Sequence, residues 1–181
     1  MQNPRYALVA YVRNAVGEFV ENLRQELHPD LPHLPAHITI LPPRRLHEGE
    51  VPALEMLEDV CSQAEPFEIT LSDVETFVPV TPTVFIRVDH AAYRLHDLHE
   101  RLNKQALACE EEWPYMPHLT IVKLSNEELA EKAYLFARDR WAMFAGSRNI
   151  PVHELTFVRE EDQNQWVDLA GIRLGRSMVR R

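Results

Sequence analysis

The sequence predicts an α+β fold built from two β-α-β halves related by a pseudo-twofold axis, and three observations carry that expectation. A strand, a helix, a proline-rich loop and the tetrapeptide HITI (37–40) recur later as a strand, a helix, a proline-containing loop and HLTI (118–121). Tyr6 precedes the first tetrapeptide by about as many residues as Val84 precedes the second. Hydrophobic spacing switches repeatedly between period two and period 3.6, the mark of interleaved strands and helices. The 181 residues are read as a single bilobal domain over 1–181, large enough to bury a core without disulfides.

The elements follow in order. Residues 5–12 (RYALVAYV) are short, apolar and partly β-branched or aromatic, a strand pattern. Val16, Phe19, Val20, Leu23 and Leu27 recur at helical spacing and predict a helix over 14–28. Pro29, Pro32 and Pro35 forbid its continuation. AHITIL (36–41) predicts a strand stopped by Pro42 and Pro43. A helix over 49–64, strands at 66–74 and 83–89, a helix over 91–108 and a strand at 118–124 come next. Ser125 with Glu128 has the capping-box pattern S-x-x-E and predicts a helix to about residue 145. The stretches 150–159 and 165–174, parted by the polar turn EDQN, predict a β-hairpin.

Composition narrows the function classes. The net charge of −9 argues against a broad face for long nucleic acid, while leaving room for a small pocket holding one or two phosphates. Arg173, Arg176, Arg180 and Arg181 crowd the C-terminus and read as a solvated tail. Two cysteines, Cys61 and Cys109, lie outside any CxxC pair and suggest a reducing compartment, with Cys61 on the apolar face of its helix. No apolar run reaches the ~18 residues of a membrane span, and the stretch 6–12 lacks a cleavage site. A cytoplasmic protein without membrane contact is expected.

The chemistry-bearing residues are the two H-x-T motifs. In a strand, residues two apart share a face. His37 and Thr39 therefore point one way while Ile38 and Ile40 point into the core, and His118 and Thr120 repeat this over Leu119 and Ile121. Two such fronts meeting at a cleft supply a proton acceptor, a proton donor and two hydroxyls for phosphate oxygens. Histidine titrates near pH ~6.5, so both protonation states are accessible near neutrality. The scheme requires no metal and no cofactor. A lone H-x-T is more often structural; two copies at equivalent places in a repeat are a far more specific pattern.

The paired HITI and HLTI motifs resemble the twin HxTφ signature of the 2H phosphoesterase superfamily, and the run PAHITILPPR (35–44) is similar to its 2′-5′ RNA ligase-like, cyclic phosphodiesterase branch. The tail, with LTFVRE ahead of a turn and a strand containing Trp166, follows the same order. The resemblance implies a bilobal fold with antiparallel sheets flanking a central cleft. It also implies hydrolysis, or reversible ligation, of 2′,3′-cyclic phosphate or 2′-5′ linkages in small nucleotides or RNA ends. Carried onto this sequence, His118 would be the base toward water, His37 the acid toward the leaving oxygen, and Thr39 and Thr120 the phosphate clamp. Pseudo-symmetry permits the reverse assignment. The alternative is a non-catalytic RNA- or nucleotide-binding module that keeps the cleft.

Further candidates are weighed against plainer roles. Arg44 (or its neighbour Arg45) could reach a phosphate at the cleft mouth, but solvated arginines are the commoner outcome. Lys123 is ambiguous in the same way. Tyr115 and Trp113 could stack a base or simply pack their loop. Arg87 and Phe85 share a strand face that could line the cleft. His96 and His99 have a metal-compatible spacing, yet with no third ligand indicated they read as exposed.

Overall fold

The computed structural model describes residues 3–30 and 34–175; Pro32, Arg176, Arg180 and Arg181 lie outside them. The elements run β1 (Tyr6–Tyr11), α1 (Ala15–Leu27), β2 (His37–Arg44), α2 (Glu50–Gln63), β3 (Phe67–Thr76), β4 (Thr83–Val88), α3 (Ala92–Leu102), β5 (His118–Lys123), α4 (Glu127–Ala142), β6 (Asn149–Val152), β7 (Glu154–Asp162) and β8 (Gln165–Arg173). All strands join one antiparallel sheet in the order β6-β3-β4-β5-β2-β1-β7-β8. The expected α+β repeat is present: β1-α1-β2 in one half matches β4-α3-β5 in the other, and the two motif strands meet at the centre.

The β-strands are buried on both faces near that centre. Leu8, Ile38, Ile40, Ile86, Leu119 and Ile121 are fully buried in the main core under the helices. Ala7, Val9 and Val158 form a second, smaller cluster with Tyr11, Leu34 and Trp166 packed against it. Period-two alternation therefore sends one set of β1 residues into each cluster. No helix among the described residues is long and apolar enough to cross a membrane.

Helix α1 begins hard against the end of β1. Asn14 caps it, its side-chain oxygen accepting from the N–H groups of Val16 and Gly17. A Cβ on Gly17 would stand 1.9 Å from the Val12 carbonyl oxygen, so only glycine permits that approach.

Four boundaries depart from the sequence expectation. Strand β2 continues through Pro42 and Pro43 to Arg44, because the ladder to β1 shifts register between Leu8↔Leu41 and Tyr6↔Arg44 and needs no N–H from either proline. The helix expected over 91–108 ends at Leu102, and a single 3₁₀ turn, Gln105–Leu107, follows with Gln105 at φ 49°. The cap of α4 is Asn126, one residue later than the Ser125 box, with its side chain accepting from Leu129 N–H. The stretch 150–159 divides: β6 pairs with β3, while β7 pairs with β1 and forms the expected hairpin with β8.

Candidate active site

Strands β2 and β5 touch through the registered pair Ile38↔Leu119. Antiparallel pairing about that pair sets His37 across from Thr120, and Thr39 across from His118, on the face away from the main core. Directly opposite residues have Cβ atoms about 5 Å apart. The four motif side chains are thereby gathered into one diagonal quartet, each half-buried over a fully buried Ile or Leu.

Both imidazoles are anchored in the same way. His37 Nδ1 lies 2.8 Å from the Pro35 carbonyl oxygen, and His118 Nδ1 lies 2.7 Å from that of Met116. A carbonyl can only accept, so each Nδ1 carries the proton and each neutral ring keeps its Nε2 lone pair for the cleft. Burial pushes His37 down to about 4; the nearby charges of Arg24 and His118 add to the effect, while the Pro35 carbonyl and Glu21 oppose it. Burial also lowers His118, against the Met116 carbonyl. The rings of Phe77 and Phe85 meet His118 edge-on at 5.1 and 5.2 Å, which is the desolvating surface. Both histidines are thus neutral at pH 7 in the empty site. Neither threonine hydroxyl takes a protein hydrogen bond among the described residues, leaving both to a ligand.

The backbone behind the quartet is braced from the opposite half. From α1, Arg24 donates to the carbonyls of Thr120 and Ile121 in β5, each at 2.8 Å, and to Leu34 O at 3.1 Å. Glu21 pairs with it at 3.0 Å and accepts from Ala36 N–H at 2.7 Å. From α3, His99 donates through Nδ1 to the Ile40 carbonyl of β2 at 2.8 Å, and the Tyr115 hydroxyl donates to Thr39 O at 2.9 Å. Equivalent carbonyls of the two motifs are therefore held by side chains from the other half. Arg24 was legible as a charge on the apolar stripe of its helix, four residues beyond Val20; His99 likewise follows Leu95. Glu111 and Phe77 carried no comparable periodic mark.

Several expectations are corrected here. Arg44 is neither solvated nor at the cleft mouth: it is 3% exposed and donates to Pro42 O, Asn103 Oδ1 and Leu107 O, with Glu111 at 3.4 Å. Its donors hold β2 to the segment after α3, and its burial keeps it out of the cleft. His99 is buried rather than exposed, with its second nitrogen 2.9 Å from Glu111, and no lone pair faces a metal. Tyr115 lines the cleft, but its hydroxyl holds Thr39 and one ring face stacks on His99 at 4.1 Å. Its firm role is to position β2. Lys123 is exposed beside a depression of ≈ 240 Å³ that His37, Thr120 and Arg24 also line. Phe85 and Arg87 pair in register with Thr120 and His118, so they do flank the site, with Arg87 tied to Glu75. Trp113 is 59% exposed on the rim of a larger cleft of ≈ 710 Å³ whose lining includes His118 and Thr39.

Comparison with known proteins bears on the family and the fold. The sequence model of the 2′-5′ RNA ligase superfamily matches residues 12–164. "Putative phosphoesterase BH1439" of Halalkalibacterium halodurans is 28% identical over 129 residues, covering 70% of this chain and 74% of that protein. The apo crystal structure of Escherichia coli LigT superimposes with a TM-score of 0.66 at 15% identity, over 96% of this chain and 98% of LigT. LigT complexed with 3′-AMP superimposes at 0.63 and 16% identity, over 97% and 100%. With an α+β sheet of the LigT kind and a family match across most of its length, the chain belongs to the 2′-5′ RNA ligase superfamily, the 2H phosphoesterases.

Proposed function

We propose that this protein is a metal-independent phosphoesterase that opens 2′,3′-cyclic phosphates or 2′-5′ phosphodiester linkages in nucleotides or RNA ends by two-histidine acid–base catalysis. The observation that carries the reading is the crossed quartet. Two Nε2 atoms, each fixed by a carbonyl on its own Nδ1, share a face with two hydroxyls free for phosphate oxygens. A water oxygen attacks phosphorus as one neutral imidazole takes its proton, and the P–O bond to the ribose breaks as the other, protonated imidazole gives its proton to the departing oxygen. Thr39 and Thr120 hydrogen-bond the non-bridging oxygens where charge builds. The phosphodiester anion between the rings raises both depressed values and so charges the imidazole that must donate. Run backward, the same groups join a hydroxyl to a cyclic phosphate, which is ligation. The 3′-AMP bound by LigT supports a nucleotide as the ligand class, and Lys123, lining a depression with His37 and Thr120, is assigned to the reacting phosphate.

The test is turnover of a 2′,3′-cyclic nucleotide panel in EDTA. Wild type is expected to remain active, and His37→Ala and His118→Ala each to lose roughly 10²–10⁴-fold in kcat. A non-catalytic nucleotide-binding module, the competing reading, would show no turnover in any form and only weakened affinity in the variants. Activity in both variants equal to wild type would overturn the site.

A further inference from the structure

Resting on the reading above, the surroundings of the quartet narrow the substrate. Space is unequal on its two sides. The depressions that His37 lines measure ≈ 240 and ≈ 150 Å³, whereas the cleft bounded by His118 and Thr39 measures ≈ 710 Å³. Only the latter falls in the range that encloses a ligand the size of a nucleoside, about 300–1,000 Å³. Its walls are apolar and aromatic: Pro42, Phe77, Val80, Trp113 and Tyr115. Trp113 and Val80 are both 59% exposed, an arrangement that a stacked base would cover.

Charge is unequal as well. The depression beside His37 and Thr120 carries Arg24, His28 and Lys123. The large cleft carries Glu110, Glu111 and Glu112, and His118 is the sole basic side chain in its lining. Glu111 is engaged by Arg44, Asn103 and His99. Glu110 and Glu112 are exposed and take no ion pair among the described residues, so two unneutralised carboxylates stand on the lip.

We propose that the aromatic cleft beside His118 receives the base of a nucleoside that bears no phosphate other than the reacting one, and that Glu110 and Glu112 set this specificity by repelling a second phosphate. The favoured substrate is then a nucleoside 2′,3′-cyclic monophosphate rather than its 5′-phosphorylated counterpart or the end of a long RNA. Taking a separation of about 10 Å, two carboxylates largely screened by water disfavour an added phosphate by roughly fivefold at low salt, and the preference shrinks once the Debye length falls below that separation.

The experiment compares kcat/KM for a nucleoside 2′,3′-cyclic monophosphate and the same compound carrying a 5′-phosphate, in wild type and in the double variant Glu110→Gln, Glu112→Gln. Wild type should prefer the unphosphorylated compound roughly fivefold at low salt, and the ratio should approach one in the double variant and at high salt. Calorimetry with a nucleoside 3′-monophosphate and a nucleoside 3′,5′-bisphosphate reads the same ratio as affinity without any turnover. If cyclic phosphates are not hydrolysed at all, the enzymatic reading fails while the affinity ratio still decides this proposal. A ratio near or below one in wild type, or one unmoved in the double variant, overturns it. Trp113→Ala, an exposed change that spares folding, should weaken binding of both compounds roughly tenfold; unchanged affinity would take the base out of this cleft.

Discussion

Replacing Arg24 with alanine tests the idea that each half of the molecule holds the other half's motif. The guanidinium is 6% exposed and serves four acceptors: the carbonyls of Thr120, Ile121 and Leu34, and the carboxylate of Glu21. Burial lowers its own pKa while Glu21 raises it, the balance expected of a desolvated but paired cation. Its removal strands three carbonyls and takes the guanidinium away from Glu21. With the Glu21 side chain 37% exposed, the main cost is the stranded carbonyls, at about 1–3 kcal/mol each where they stay dry and about 3–5 kcal/mol together after partial relaxation. For a chain of this size that is a fall in Tm of about 6–20 °C. Turnover should fall further than folding, because a shift of about 1 Å in Thr120 or His118 costs roughly 10²-fold. Arg24→Lys keeps the charge but reaches fewer carbonyls, and should lie between wild type and alanine in both measures. The assay is thermal unfolding paired with kcat on a cyclic nucleotide at a temperature where each variant is fully folded. An alanine variant within about 1 °C of wild type and unchanged in kcat would refute the bracing argument.

Three further outcomes follow from the structure. In the proposed mechanism the base must be neutral and the acid charged; with His37 at about 4 and His118 below its usual value, kcat/KM should be bell-shaped with both limbs below pH ~6.5, and the kcat limbs should lie higher because bound phosphate favours the imidazolium. An alkaline limb of kcat/KM above pH ~7.5 would contradict the burial of the site. The folded-state value of His37 lies below the unfolded one, so the unfolded chain takes up its proton first and stability should drop as pH falls from ~6.5 to about 4; His37→Asn should flatten that slope in urea titrations. Finally, Gly17→Ala would put a Cβ 1.9 Å from the Val12 carbonyl oxygen, and forcing β1 and α1 apart should cost about 1–3 kcal/mol, read as a lower urea midpoint.

What the sequence disclosed depended on whether one residue type had one physical meaning in its place. The period-two tetrapeptides disclosed the quartet, since the alternation of polar and apolar residues in HITI and HLTI can be satisfied in only one orientation on a half-buried strand. Arg44 misled because adjacent charges in a proline-flanked segment resemble a loop; whether β2 ends at Leu41 or runs on to Arg44 depends on a register shift against β1, which no local pattern encodes. His99 misled for the opposite reason. Its neighbours Leu95, Leu98 and Leu102 mark the buried stripe, and a polar residue on that stripe is buried once a carbonyl and a carboxylate wait for it. Those acceptors come from β2 and from Glu111, remote in sequence, so the partner was hidden even where the position was not.

The pseudo-twofold axis relates acceptors more faithfully than donors, and this difference separates the two histidines. In both motifs the carbonyls of the threonine and of the isoleucine after it are held from across the axis. One half spans its pair with the fork of a single guanidinium, a geometry that arginine supplies and two separate donors must otherwise share. The other half uses two separate donors, the His99 ring and the Tyr115 hydroxyl. The fork brings a permanent positive charge to the His37 side, where it adds to burial in disfavouring the imidazolium. His118 instead lies against the uncharged rings of Phe77 and Phe85, with burial as the cause that lowers it. Two imidazoles anchored alike through Nδ1 are thus both lowered mainly by burial, and only at His37 do neighbouring charges act beside it.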